Sequence, residues 1–524
     1  MEVPLLVTDF LDRAVRIYPE KLAIVDGDRR YTYREFNERV DRLSNALLDL
    51  GLRQGDRVCM LSPNSHFYLE SFYAAAQTGI ILVPLNYRLV AADHEYILNH
   101  AGVTAVLVDW EYTDVVDEIR DQLPQVKHWI VAQDDGEPSA GWTSWNALVE
   151  AASPEKPAMP EIGENDTFSI NYTSGTTSRP KGVVMTHRNS YLNAYNMIVH
   201  NTLAHEDVEL WTLPMFHCNG WGGVFAMTAL AGTHVILRAI DGEEILQLVA
   251  DEKVTFACMA PAVLRTILDT KDKERFDITT RPRLTVAGAP PPSAFIERLE
   301  NEMGWEFRQI YGLTETAPLL TISRPDANTE KEDWSRRARA GVAGIGVDLQ
   351  VLDDEGNPVA KDGVAVGEIC ARSNVVFAGY YEQPDQTAEA IYDGYFHTGD
   401  LAVWDENENI HIVDRKKDVI ISGGENISSP EIEDCLFQHA AVLECAVIGV
   451  PHEKWGETPV ALIVTREGMT ASEEELIAHC RDNMAHFKCP TQIRFVEELP
   501  RTATGKLQKY KLREAFWDGD RLVN

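Results

Sequence analysis

The chain has no apolar run approaching the ~18 residues that a membrane-spanning helix needs. Its best candidate, residues 79–85, is only long enough for one buried strand. The eight cysteines never fall into a Cys-x-x-Cys pair, so they read as small core hydrophobes in a reducing compartment and suggest neither a disulfide frame nor a zinc site. Basic charge is also scarce. Lys and Arg number 48 against 82 Asp and Glu, a formal −34, which excludes a nucleic-acid sleeve or a surface that clings to anionic lipid. The first residues carry Glu2, Asp9 and Asp12 with no basic stretch ahead of an apolar one, so no secretory leader is expected. A Gly-x-Ser-x-Gly elbow is missing as well: the first glycine it would need before Ser174 is Tyr172, and an α/β-hydrolase is disfavoured.

What is present is a long globular chain. Its 524 residues exceed the ~250–300 that one hydrophobic core supports, so at least two domains are expected. Strand-like stretches at 57–61 and 103–108 alternate with helical ones at 36–50 and 67–78, and the rhythm returns at 235–237, 257–260 and 283–287. That pattern predicts an α/β fold with parallel and mixed sheets covered by helices. Residues 133–142 and 323–340 read as exposed irregular segments. Near Asp414 a strand runs into a charged cluster, 414–418, too polar to be core. Beyond it a shorter α+β pattern follows, with a helix opening near Ser429, Pro430 and Glu431. The expected division is a large domain over 1–414, a hinge at 414–418, and a small mobile α+β domain over 415–524. The small domain holds 14 Lys and Arg against 18 Asp and Glu, −4, which leaves −30 on the large one.

The most informative segment is 172–182, YTSGTTSRPKG. Its hydroxyls, glycine and single lysine make a loop rich in N–H and O–H donors, suited to a triphosphate. It is not a Walker A loop, because Pro180 precedes Lys181 and Gly182 follows it. The segment resembles the phosphate loop of the adenylate-forming enzymes, the superfamily of acyl-CoA synthetases, peptide-synthetase adenylation domains and beetle luciferases. Further motifs follow in that family's order, from about Phe10 to Leu512: Gly288-Ala289-Pro290, YGLTET at 311–316, YFHTGD at 395–400, Asp414-Arg415, and PRTATGK at 500–506. Any one of them alone would be an ordinary turn; their order makes the resemblance specific.

The resemblance implies a phosphate loop of Thr173, Ser174, Gly175, Thr176, Thr177 and Lys181, with Gly288, Ala289 and Pro290 lining one side of the adenine. Tyr311 and Gly312 would stack on its other side, Thr314 would donate to a phosphate oxygen, and Glu315 with Thr173 would hold Mg²⁺. Asp400 is suited to accept from both ribose hydroxyls, and Arg415 is expected at ribose or phosphate. Lys506 would bridge carboxylate and α-phosphate, with Thr173 and Glu315 joining it in catalysis. Lys417 would be the pivot, and Gly423 and Gly424 would line a pantetheine tunnel for CoA, although a tight turn explains a Gly-Gly pair equally. The fold implied is the large domain, including a small β-barrel-like part, with the mobile C-terminal domain.

The implied activity is an AMP-forming acid–thiol ligase using ATP, Mg²⁺ and CoA. Residues 213–224 contain no carboxylate to pair a substrate ammonium, so an acid without an α-amino group is expected. Phe216, His217 and Trp221 resemble the aromatic gate of fatty-acyl-CoA synthetases, which points to a medium- or long-chain acid. Trp221 could equally be core, and Gly222 could deepen a tunnel or admit a helix start. The alternatives are an aryl-acid or short thioether-acid CoA ligase, a ligase loading a separate carrier protein, and a non-catalytic acyl or nucleotide binder. Four retained residues, Lys506, Glu315, Asp400 and Arg415, speak against the binder. A cytoplasmic enzyme is expected, with no nucleic-acid partner and no integral membrane association, and relatives with this layout often form homodimers.

Overall fold

The structure is a computed structural model. It describes the chain except residues 135, 174–178, 290, 325–332, 417, 423–424, 453, 502–506 and 517–524, and the side chains of 425 and 426. Among the described residues, no helix is long and apolar enough to cross a membrane.

Two large sheets build the N-terminal part. In one, five parallel strands, Arg57–Leu61, Ile81–Leu85, Val103–Asp109, His128–Ala132 and Thr143–Ser144, stand beside Thr167–Thr173, which is parallel to Ile81–Leu85 and antiparallel to Lys181–Thr186. The other has a parallel centre that includes Val208–Trp211, Thr233–Ile236, Phe256–Met259, Arg283–Val286 and Glu306–Gly312. Parallel strands need crossovers, and here helices supply them, covering both faces as the near-continuous burial of these strands requires.

Local signals explain the crossovers. Thr32 and Glu35 form a capping box that opens helix Tyr33–Asp49. Ser65 caps His66–Thr78, every residue of which is buried, and Gly79 ends it in the left-handed region at φ 70°. Phe72, Phe168 and Phe225 meet edge to face between the two sheets, in the largest core.

Where a small barrel-like part was expected, the described residues form a five-stranded antiparallel sheet, with Val347–Leu352, Gly367–Ser373 and Tyr395–Trp404 among its strands. It closes over its own core of Val351, Ile369, Trp404 and Ile410. A last α+β unit follows: Val442–His452 pairs antiparallel with Gly456–Thr465, which pairs parallel with Gln492–Phe495, and helices Ser429–Phe437 and Glu473–Asn483 lie against this sheet.

Three expectations need correction. Asp414 is not too polar for the interior: it is 5% exposed, with its carboxylate accepting from Ser429 N at 3.2 Å and Ser429 Oγ at 2.5 Å. Trp142 is buried beneath Arg120, its ring edge-on to Trp129. Arg337 is buried through its ion pair with Glu300. In each case a specific partner satisfies the polar or aromatic group, and such partners lie far off in sequence.

Candidate active site

The segment from Tyr311 to Thr316, at the end of strand Glu306–Gly312, is where the described motifs converge. Gly312 allows the turn to close: a Cβ there would lie 1.5 Å from the Pro318 carbonyl oxygen, so no other residue fits without moving backbone.

On one side, Tyr311 donates its hydroxyl to Asp400 Oδ2 at 2.7 Å. Asp400 is buried, and its other oxygen meets Arg415 Nε at 2.6 Å. The pairing is set by backbone register, since Asp400 and Arg415 face each other across two antiparallel strands.

On the other side, Glu315 Oε1 accepts from the Tyr380 hydroxyl at 2.9 Å. Burial and the neighbouring Glu315 push that hydroxyl above the ordinary tyrosine range, so it stays a donor. The Lys181 ammonium sits 4.7 Å over the Tyr380 ring. Lys181 pairs in register with Thr173, so the two strand residues flanking the expected phosphate loop lie here. Ser174, Gly175, Thr176 and Thr177 lie outside the described residues. So do Pro290, Lys417, Gly423, Gly424 and Lys506. Gly288 and Ala289 are exposed just past strand Arg283–Val286, with Gly288 at φ 92°.

The aromatic segment joins the same centre. Cys218 Sγ lies 3.9 Å from the Thr314 carbonyl oxygen, which can accept from it. Phe216 is buried edge-on to Tyr87, His217 is half-buried, and Trp221 is 4% exposed within the main core. Gly222 occupies the left-handed region at φ 81° and begins helix Gly223–Leu230. A Cβ on Gly222 would sit 2.2 Å from Asn193 Nδ2, so this glycine permits close packing and a helix start.

Sequence reading missed several residues. Tyr380 links Lys181 to Glu315, and only its place after the glycine of a short strand could have hinted at that. Asn171, Asn219 and Ser169 form a closed buried triangle. Asn171 Nδ2 donates to Asn219 Oδ1 at 3.0 Å, Asn219 Nδ2 to Ser169 Oγ at 2.9 Å, and Ser169 Oγ to Asn171 Oδ1 at 3.0 Å. It ties the phosphate-loop strand to the aromatic segment. Glu209 is also buried, on strand Val208–Trp211 just ahead of the aromatic segment.

The chemistry of this set suits a nucleotide and Mg²⁺. Among the described residues no cluster of three or more metal-ligating side chains occurs. Mg²⁺ typically takes one or two carboxylates, with phosphate oxygens and water completing its shell, and Glu315 is placed to be that carboxylate.

A parallel-sheet body with an attached α+β unit, and carboxylate, tyrosine and cation groups converging around Tyr311–Thr316, are an arrangement suited to a nucleotide-using enzyme. The chain belongs to the AMP-binding enzyme family, which matches residues 11–381, and the AMP-binding enzyme C-terminal domain matches 431–506. It is 38% identical to a 4-hydroxybutyrate–CoA ligase of Metallosphaera sedula over 515 residues, 96% of this chain and 93% of that one. A peroxisomal butyrate–CoA ligase of Arabidopsis thaliana is 35% identical over 98% of this chain and 93% of its own. The crystal structure of an anthranilate CoA ligase with anthranoyl-AMP superposes with a TM-score of 0.91 at 27% identity, covering 98% of both chains. The protein is accordingly an AMP-forming acid–thiol ligase that uses ATP, Mg²⁺ and CoA.

Proposed function

We propose that the acid activated is a short-chain aliphatic or an aryl carboxylic acid, not the medium- or long-chain fatty acid that the aromatic segment suggested. The reading rests chiefly on how closely that segment packs. A Cβ on Gly220 would lie 2.5 Å from the Trp211 ring, and Trp221 is held by Asn193 Nδ2 donating to its carbonyl at 3.0 Å. Such close packing against the core favours a small acyl group beside this segment. Similar proteins named for butyrate, 4-hydroxybutyrate and anthranilate support the same range.

In the first half-reaction the acid's carboxylate attacks the α-phosphorus of ATP, and pyrophosphate leaves from an acyl adenylate. Asp400, held by Tyr311 and Arg415, would accept from the ribose hydroxyls, and Lys181 and the loop of Ser174, Gly175, Thr176 and Thr177 would take the phosphates. Thr173 and Glu315 would hold Mg²⁺, which supplies neutralising charge on the phosphates. Lys506 would bridge the reacting groups. In the second half the C-terminal unit turns about Lys417, and Gly423 and Gly424 admit the CoA thiol. The thiolate attacks the acyl carbonyl and AMP leaves.

A panel of acids of graded length with aryl members, assayed for AMP release with CoA, tests the substrate range. Highest kcat/KM is expected for short or aryl acids, and a maximum at long-chain fatty acids would refute it.

A further inference from the structure

We propose that the last helix, Lys509–Arg513, clamps the proposed hinge on both sides of residue 417, which makes Lys509 and Arg513 positioning residues for the Lys506 loop in the adenylation half-reaction. The inference rests on the ligase reading above, because these residues act through Lys506 and not on the substrates themselves.

Lys509 follows Lys506 by three residues and opens that helix. The flanks of residues 502–506 are tied to each other. Arg501 and Leu507 form an antiparallel bridge, and Gln508 N donates to the Pro500 carbonyl oxygen at 2.8 Å. Any shift of the helix is therefore passed directly to the ends of this loop.

A lysine so near the end of a chain is usually solvated. The Lys509 side chain is instead only 12% exposed, with its ammonium donating to Ser429 Oγ and lying 2.9 Å from Glu433 Oε1. Ser429 Oγ donates in turn to Asp414 Oδ2 at 2.5 Å, and Asp414 Oδ1 accepts from Arg415 N at 2.8 Å. Glu433 is fixed from its other side by Val447 N at 2.7 Å. Lys509 thus joins strand Ile410–Arg415, which brings Arg415 to Asp400, to the sheet of the C-terminal unit.

Arg513, one helical turn further on, completes the grip. Its Nη1 lies 2.6 Å from Asp418 Oδ1, and the two side chains are only 11% and 14% exposed. Asp414 precedes Lys417 and Asp418 follows it, so the two cations hold hinge residues on either side of the proposed pivot. Seating the helix does not require them, since Leu507, Leu512 and Phe516 already pack against the core of Ala446, Ile448 and Val450. Ion pairs withdrawn from water add little stability over apolar contacts, and their best-attested use is to fix register. Here the register they fix is that of the helix against the hinge.

The test measures acid-dependent exchange of pyrophosphate into ATP and, separately, thioester formation from supplied butyryl or benzoyl adenylate and CoA. Wild type is compared with Lys509→Met, Arg513→Gln, Arg513→Lys and Asp418→Asn. Lys509→Met and Arg513→Gln should each lower kcat for exchange about tenfold or more with KM for ATP within about twofold, since a displacement of about 1 Å can cost ~100-fold. Thioester formation from the supplied adenylate should stay within about threefold of wild type, because Lys506 serves only the first half-reaction. Arg513→Lys, which keeps the charge opposite Asp418, should retain most of the exchange rate, and Arg513→Gln combined with Asp418→Asn should lose no more than either alone. Should Lys509→Met not fold, the Arg513 and Asp418 variants carry the same comparison. Equal losses in both half-reactions, exchange unchanged in Arg513→Gln, a raised KM for ATP with kcat unchanged, or Arg513→Lys no better than Arg513→Gln overturns the inference. A wild type that makes no acyl-CoA from any acid refutes the ligase reading itself.

Discussion

At the scale of single residues, Tyr380 is an uncharged group placed to act on the proposed Mg²⁺ site. Its hydroxyl orients Glu315 and its ring carries Lys181, so Tyr380→Phe should leave the fold intact yet free the carboxylate to turn. The Mg²⁺ concentration for half-maximal activity should rise about tenfold, the size expected when a residue orienting a metal ligand is lost. It should be restored by excess Mg²⁺, and an unchanged Mg²⁺ dependence contradicts the role. Asp400→Asn removes the charge that Arg415 faces at 2.6 Å and should raise the KM for ATP about tenfold, given ~1.5–3 kcal/mol for hydrogen bonds to charged groups. Glu209 carries a pH signature. Its folded carboxyl titrates well above the unfolded value, so its contribution to stability is full below about pH 4 and is lost as pH rises toward the folded pKa. The stability gain of Glu209→Gln over wild type should therefore grow as pH rises from 5 to 8. Parallel unfolding profiles at the two pH values would show that the carboxyl is not held neutral.

At the scale of elements, the strands and helices of the body were legible because their burial follows simple periods and their ends carry strong signals, such as Thr32 with Glu35 or Gly79 after His66–Thr78. What periodicity could not show was cross-chain satisfaction of polar groups. Asp414 looked too polar for the interior until Ser429 came to it, and Asn171, Asn219 and Ser169 close a triangle across 50 residues of sequence. The C-terminal unit meets the body through similar pairs. Arg265 Nη2 lies 2.9 Å from Glu444 Oε1, Ser293 N donates to Asp434 Oδ1 at 3.0 Å, and Phe295 packs edge-on against Phe437. Partly exposed ion pairs contribute ~0–1 kcal/mol, so Arg265→Ala should shift the docked population a few-fold without unfolding either part. Faster proteolysis near 414–418, and a changed ratio of adenylation to thioester formation, would report it. Identical proteolysis rates would mean the pair does not hold the unit.

At the scale of the whole molecule, a chain at −34 works on two polyanions, ATP and CoA, and the contrast is resolved by where charge lies. Residues 415–524 carry only −4, and the cations Lys181 and Arg415 stand at the described site. The remaining −30 repels itself across the large part, so the thermal midpoint should rise from low salt to about 0.5 M NaCl, where the screening length is only a few ångströms. A flat salt response would show that the acid excess is already paired. The motif order along the chain carried the class of enzyme, while the close packing at Gly220, Gly222 and Gly223, on which the proposed range of acids rests, is something no motif reveals. The most direct measurement follows the fate of ATP with acid present, first without CoA and then with it. Acid-dependent exchange of pyrophosphate into ATP is expected without CoA, and AMP with acyl-CoA in equal amounts once CoA is added. Formation of ADP and phosphate in place of AMP and pyrophosphate, or acyl-CoA formation without any acid-dependent pyrophosphate exchange, would contradict an acyl adenylate made at this site.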